Sequence, residues 1–163
     1  MIIQLVIAVV AGLLVRIVDW LDDERKSKSP VKYAFAIAYG VLLGYIIGTA
    51  SFAGIFLAAL VAQVFARKID TPAHELGFVT ALFTLLFLDI PGIELTLFAY
   101  FMVLAFLDEV DFIGKLRPLT EYRPFLKVGS LALVLIGRWD YFAGIIAFDI
   151  GYDVFDLLKK YIK

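Results

Sequence analysis

Small residues recur at every fourth position along two consecutive apolar stretches: Ala36, Gly40, Gly44 and Gly48, then Ala50, Gly54, Ala58, Ala62 and Ala66. Between them stand almost only Ile, Leu, Val, Phe and Tyr, and the stretches meet at Thr49-Ala50-Ser51, which carries no charge. A fourfold spacing places the small side chains on one face of a helix. In lipid, burial of apolar surface does not drive helices together, so close backbone approach along such a face takes over that role. Residues 33–67 therefore read as a transmembrane helical hairpin whose two ladders face each other. Gly40, Gly44, Gly48, Gly54, Ala58 and Ala62 are its packing positions.

Composition extends this reading to the whole chain. Of 163 residues, 63% are hydrophobic and only 19% are charged, too few polar groups to cover a soluble domain of that size. The expected fold is an all-α polytopic transmembrane bundle forming one integral membrane domain over 1–163, with membrane lipid as its partner. The net charge of −1 gives no basic field for nucleic acid. Cysteine is absent, which excludes disulfides and thiolate metal sites. Asparagine is absent as well, and depletion of thermolabile side chains points to a thermophilic prokaryote and its cell membrane. The N-terminus has no basic stretch ahead of its apolar run, and Arg16 and Asp19 follow where a cleavage site would stand, so it reads as a retained first helix.

Apolar runs cover about 2–18, 33–49, 52–66, 76–88, 93–107, 125–137 and 141–158. A span needs roughly 17–25 residues, so the fourth and sixth are short or re-entrant. Seven spans put Arg16, Arg25, Lys26, Lys28, Lys32, Arg67, Lys68, Lys115, Arg117, Arg123, Lys127 and the C-terminal lysines on one side, leaving Arg138 on the other. Positive charge marks the cytosolic side, so the N-terminus is expected outside and the C-terminus in the cytosol.

Helices one, three, five and seven would then end at the cytosolic face in acids: Asp19 to Glu24, Asp70 and Glu75, Asp108 to Asp111, and Asp149 to Asp156. Carboxylates are unfavourable at a helix C-terminus, by about 0.3–1 kcal/mol each when exposed. Basic neighbours, altered protonation or a bound cation must compensate. Asp149 lies behind an apolar run from Phe142 to Phe148, and an acid so deep needs a partner, for which Arg16 is the candidate. One expectation is a divalent-cation site built from Asp149, Asp153, Asp108, Asp111 and Asp19, whose all-oxygen ligands favour Mg²⁺. Such an ion would hold the phosphate of a lipid-linked substrate, with Lys115, Arg117, Arg123 and Lys127 completing the charge clamp. The plainer alternative is an Arg16–Asp149 pair within a solvated rim of mixed charge.

Other features carry less. His74-Glu75 is half of a zinc-protease motif without its second histidine, and reads as the polar start of the fourth helix after a Thr71-Pro72 turn. Tyr39, Tyr45, Tyr100 and Tyr152 read as buried aromatics with satisfied hydroxyls, and Gln4 and Gln63 as interhelical hydrogen-bonders. Three functions stay open: a metal-dependent enzyme or binding protein for a lipid-linked phosphate, a cation- or proton-coupled transporter or channel, and a structural membrane subunit.

Overall fold

The structure, a computed structural model, describes residues 1–26, 29–88, 92–110, 119 and 124–161. Among the described residues regular structure is entirely helical, with seven α-helices: α1 (Ile2–Asp19), α2 (Val31–Thr49), α3 (Ala53–Phe65), α4 (Pro72–Leu85), α5 (Leu95–Asp108), α6 (Pro124–Val134) and α7 (Trp139–Leu158). One helix arises from each apolar run. The largest shift is in α4, which begins at Pro72 because Thr71 caps it. The Thr71 hydroxyl accepts the His74 N–H at 3.3 Å, and proline is pre-organised for a first turn.

Among the described residues two segments are long and apolar enough to cross a membrane, Ile2–Asp22 and Val31–Thr49. The four helices α3 to α6 have only 13, 14, 14 and 11 residues. At 1.5 Å per residue they reach roughly 16–21 Å, against a hydrocarbon core of about 30 Å. Shortness is therefore not confined to the fourth and sixth. The surface between the polar helix ends is apolar, with Val10, Ile37, Val41, Val79, Phe83 and Phe106 all exposed.

Helix α1 lies between α2 and α7, α4 packs on α2, α3 packs on α5, and α6 bridges α5 and α7. The glycine ladder of α2 therefore faces α4, correcting the expected pairing with α3. A methyl group added to Gly44 would stand 2.6 Å from Thr84 Cβ, and one added to Gly48 2.7 Å from Leu88 Cδ1. At Gly40 the nearest atom would be the Gly77 carbonyl oxygen. Thr80 and Thr84 turn their hydroxyls back onto the carbonyls of Leu76 and Thr80, at 2.7 and 2.8 Å. They thus offer carbon rather than oxygen to the glycines. Ala58 and Ala62 of α3 are buried, and a methyl group added to Gly54 would make only an ordinary 3.8 Å contact with Tyr141 of α7.

Backbones approach closely again where no ladder marks the sequence. A methyl group on Gly12 of α1 would overlap the Phe148 carbonyl of α7, and one on Gly151 of α7 would overlap the Val9 carbonyl of α1. The two helices are pressed together by reciprocal glycines.

Polar groups gather at two opposite ends. One end holds Arg16, Asp19, Asp22, Lys32, His74 and Asp156, joined across α1, α2, α4 and α7. The other holds Arg138, 3.6 Å from Glu94 and 3.5 Å from Asp140. Successive helices run in alternating directions between them.

Candidate functional site

A cavity of about 390 Å³ opens among the helices at the Asp19 end. Its apolar wall is made by Val15, Leu43, Leu60, Phe78 and Phe148. Its polar lining comprises Arg16, Asp19, Tyr39, Gln63, Lys68, Asp70, His74, Glu109 and Tyr152.

Local structure explains how these groups arrive there. After Asp19 the helix widens into a π-turn over Trp20–Glu24, closed by the Arg25 N–H on the Trp20 carbonyl at 2.9 Å. Such turns within α-helices often sit at functional sites. Asp22, in that turn, pairs with Lys32 at the start of α2 and accepts the Thr71 hydroxyl at 2.9 Å, which fastens the start of α4 to α1. Helix α3 ends with Arg67 at φ +55°, and the Lys68 N–H returns to the Gln63 carbonyl at 3.0 Å. This αL closure reverses the chain and brings Lys68 to the cavity.

Inside the cavity four side chains from four helices form a hydrogen-bonded chain. His74 Nε2 lies 3.1 Å from Asp19 Oδ1, and the Tyr152 hydroxyl donates to Asp19 Oδ2 at 2.6 Å. His74 Nδ1 lies 3.2 Å from the Tyr39 hydroxyl. A carboxylate only accepts, so Nε2 carries a proton; in the neutral ring Nδ1 is then the acceptor and the Tyr39 O–H the donor. The Arg16 guanidinium sits 5.3 Å from the centre of the Tyr152 ring and holds Asp156 through Nε at 2.9 Å and Nη2 at 2.8 Å.

Of the acids expected to share a cation, Asp149, Asp108 and Asp19 each have a different partner. Arg16 pairs with Asp156 and not with Asp149, which corrects that assignment. Asp149 pairs with Lys127 of α6 at 3.1 Å. Asp108 is buried, and its two oxygens accept the Phe125 and Leu126 N–H groups at 2.8 Å each, capping α6 from another helix. Asp19 belongs to the histidine chain, and Asp153 is exposed. Asp111, Lys115, Arg117 and Arg123 lie outside the described residues. Among the described residues no three His, Asp or Glu side chains are grouped closely enough to hold a metal ion. Lys127 and Arg16 offset Asp149 and Asp156, and helix amides offset Asp108.

Of the tyrosines, Tyr39, Tyr100 and Tyr152 have hydrogen-bonded hydroxyls. His74, read from sequence only as a polar helix start, is the centre of the site. It is the single histidine of the chain. The signal that could have found it is that His74 and Gly77 share a face of α4, and a glycine one turn from a histidine leaves room for a partner.

No protein-family model matches the chain, and no curated protein or solved structure is significantly similar to it.

Proposed function

We propose that the chain is a multi-pass membrane protein whose seven helices cross or partly cross the bilayer, with the N-terminus outside and the C-terminus in the cytosol. In this reading the cavity at the cytosolic end holds the phosphate-bearing head of a lipid-linked ligand. The observation that carries the proposal is the mixed lining of that cavity: Val15, Leu43, Leu60, Phe78 and Phe148 stand beside Arg16, Lys68 and His74, with Asp19, Asp70 and Glu109 in the same wall. A pocket lined by both apolar and charged side chains suits an amphiphile. Lysine and arginine side chains are the usual partners of phosphate oxygens. The exposed apolar belt supports lipid as the surrounding solvent, since soluble monomers rarely expose contiguous apolar surface on that scale.

The test is thermal unfolding in detergent with a short-chain phosphatidic acid or the matching neutral diglyceride. The phosphatidic acid is expected to raise the unfolding temperature, the diglyceride is not, and Lys68→Ala is expected to abolish the rise. Equal stabilisation by the neutral lipid, or an undiminished effect in the lysine variant, overturns the reading.

A further inference from the structure

We infer that Tyr39, His74 and Asp19 form a proton-transfer relay in which the Tyr39 oxygen exchanges a proton with the polar head bound in the cavity, a role that rests on the ligand-binding reading above. The first observation is geometric. With the Asp19 carboxylate at Nε2 and the Tyr39 oxygen at Nδ1, the neutral ring holds its proton on Nε2 and offers the Nδ1 lone pair to the Tyr39 hydroxyl. That is the division of labour in acid–base triads: the acid orients the imidazole and stabilises it when charged, and the far nitrogen takes the proton.

The second observation is that the fold makes room for this contact at a cost in packing. Gly77 lies one turn after His74, and a methyl group there would overlap the Tyr39 hydroxyl and ring. Tyr39 is 5% exposed, yet it lines the cavity, as do His74 and Asp19. The third observation is that Asp19 is itself held on both oxygens, by His74 and Tyr152, on a helix locked to α7 by Arg16 and Asp156. A group whose geometry is fixed from several helices is preorganised for proton transfer.

The step balances without a further reactant. As a ligand O–H gives its proton to the Tyr39 oxygen, the phenol proton passes to Nδ1, leaving an anionic ligand oxygen and an imidazolium beside Asp19. The reverse step returns both protons.

Hexadecylsulfonyl fluoride reads this relay directly, because its chain partitions into lipid and its head accepts an activated phenol. Loss of the Tyr39 proton to His74 lets the tyrosine oxygen bond to sulfur as fluoride leaves. Mass mapping is expected to place the adduct on Tyr39, and His74→Gln, Asp19→Asn and Gly77→Ala are each expected to slow its formation, the histidine change by roughly 100-fold. Phosphatidic acid stabilisation is measured on the same variants. It reports on the cavity separately, while a cooperative thermal unfolding transition measured without lipid shows that a variant is folded. Labelling spread over other tyrosines, or an unchanged rate in folded His74→Gln or Asp19→Asn protein, overturns the relay even where the lipid still binds.

Discussion

Asp108, the last residue of α5, receives the backbone N–H of Phe125 in the first turn of α6 at 2.8 Å, and that of Leu126 at the same distance. The first N–H groups of a helix have no partner within it, and a carboxylate there also meets the positive end of the helix dipole. Asp108 is 4% exposed and both hydrogen bonds are part-buried, so removing it strands two amides. We expect Asp108→Ala to cost about 2–5 kcal/mol, and Asp108→Asn less, since an amide oxygen still serves one of the two donors. Chemical unfolding in detergent checks both values. A loss below that of an ordinary surface change would show that the cap is dispensable.

That carboxylate also shows what could be read beforehand and what could not. Each helix was legible from its apolar run, and α4 from Thr71-Pro72, because hydrophobic continuity and capping are local. The small faces of α2 and α3 were legible for the same reason. Their partners were not, since a fourfold spacing says which face is narrow but nothing about which helix fills it. The acids Asp108, Asp149 and Asp156 stood out by position, yet their uses depended on amides and cations that only the packing of α1, α6 and α7 brings near. His74 was undervalued because its partners, Asp19 and Tyr39, lie 55 and 35 residues away along the chain.

The α1–α7 contact gives a second expectation. Gly151→Ala must push the α7 backbone away from the Val9 carbonyl, and Gly12→Ala must do the same at Phe148. Each is expected to cost about 1–3 kcal/mol or more, typical of overpacking against atoms that cannot rotate aside. Gly92 is the control, because nothing lies within 4 Å of an added methyl group there. Thermal unfolding of the three variants should separate the pair from the control; equal behaviour would mean that the two helices are not in backbone contact.

Double-mutant cycles test the charge assignments. Arg16 and Asp156 are expected to couple by about 0.5–1 kcal/mol, modest because Asp156 is 39% exposed and solvent screens the pair. Lys127 and Asp149, 38% and 26% exposed, are expected to couple by a similar amount, roughly 0.5–1 kcal/mol. Arg16 and Asp149 are expected to show none. Substantial coupling in that last cycle would restore the partner the sequence alone favours and undo the ion-pair map.

Orientation in the membrane is open to a clean chemical test, because the chain contains no cysteine and every thiol introduced is unique. Ser51, exposed in the turn between α2 and α3, belongs to the end that carries Arg138. Lys160, exposed beyond α7, belongs to the end that carries Arg16 and Asp156. In the proposed multi-pass arrangement, helices running in alternating directions put these two positions on opposite faces of the bilayer, and the excess of lysine and arginine puts Lys160 inside. In intact cells a membrane-impermeant maleimide is therefore expected to label Ser51→Cys and to spare Lys160→Cys until the membrane is opened with detergent. Labelling of both from outside would show that the chain does not cross an odd number of times between them, and labelling of Lys160→Cys alone would invert the topology and place the His74 cavity at the outer surface.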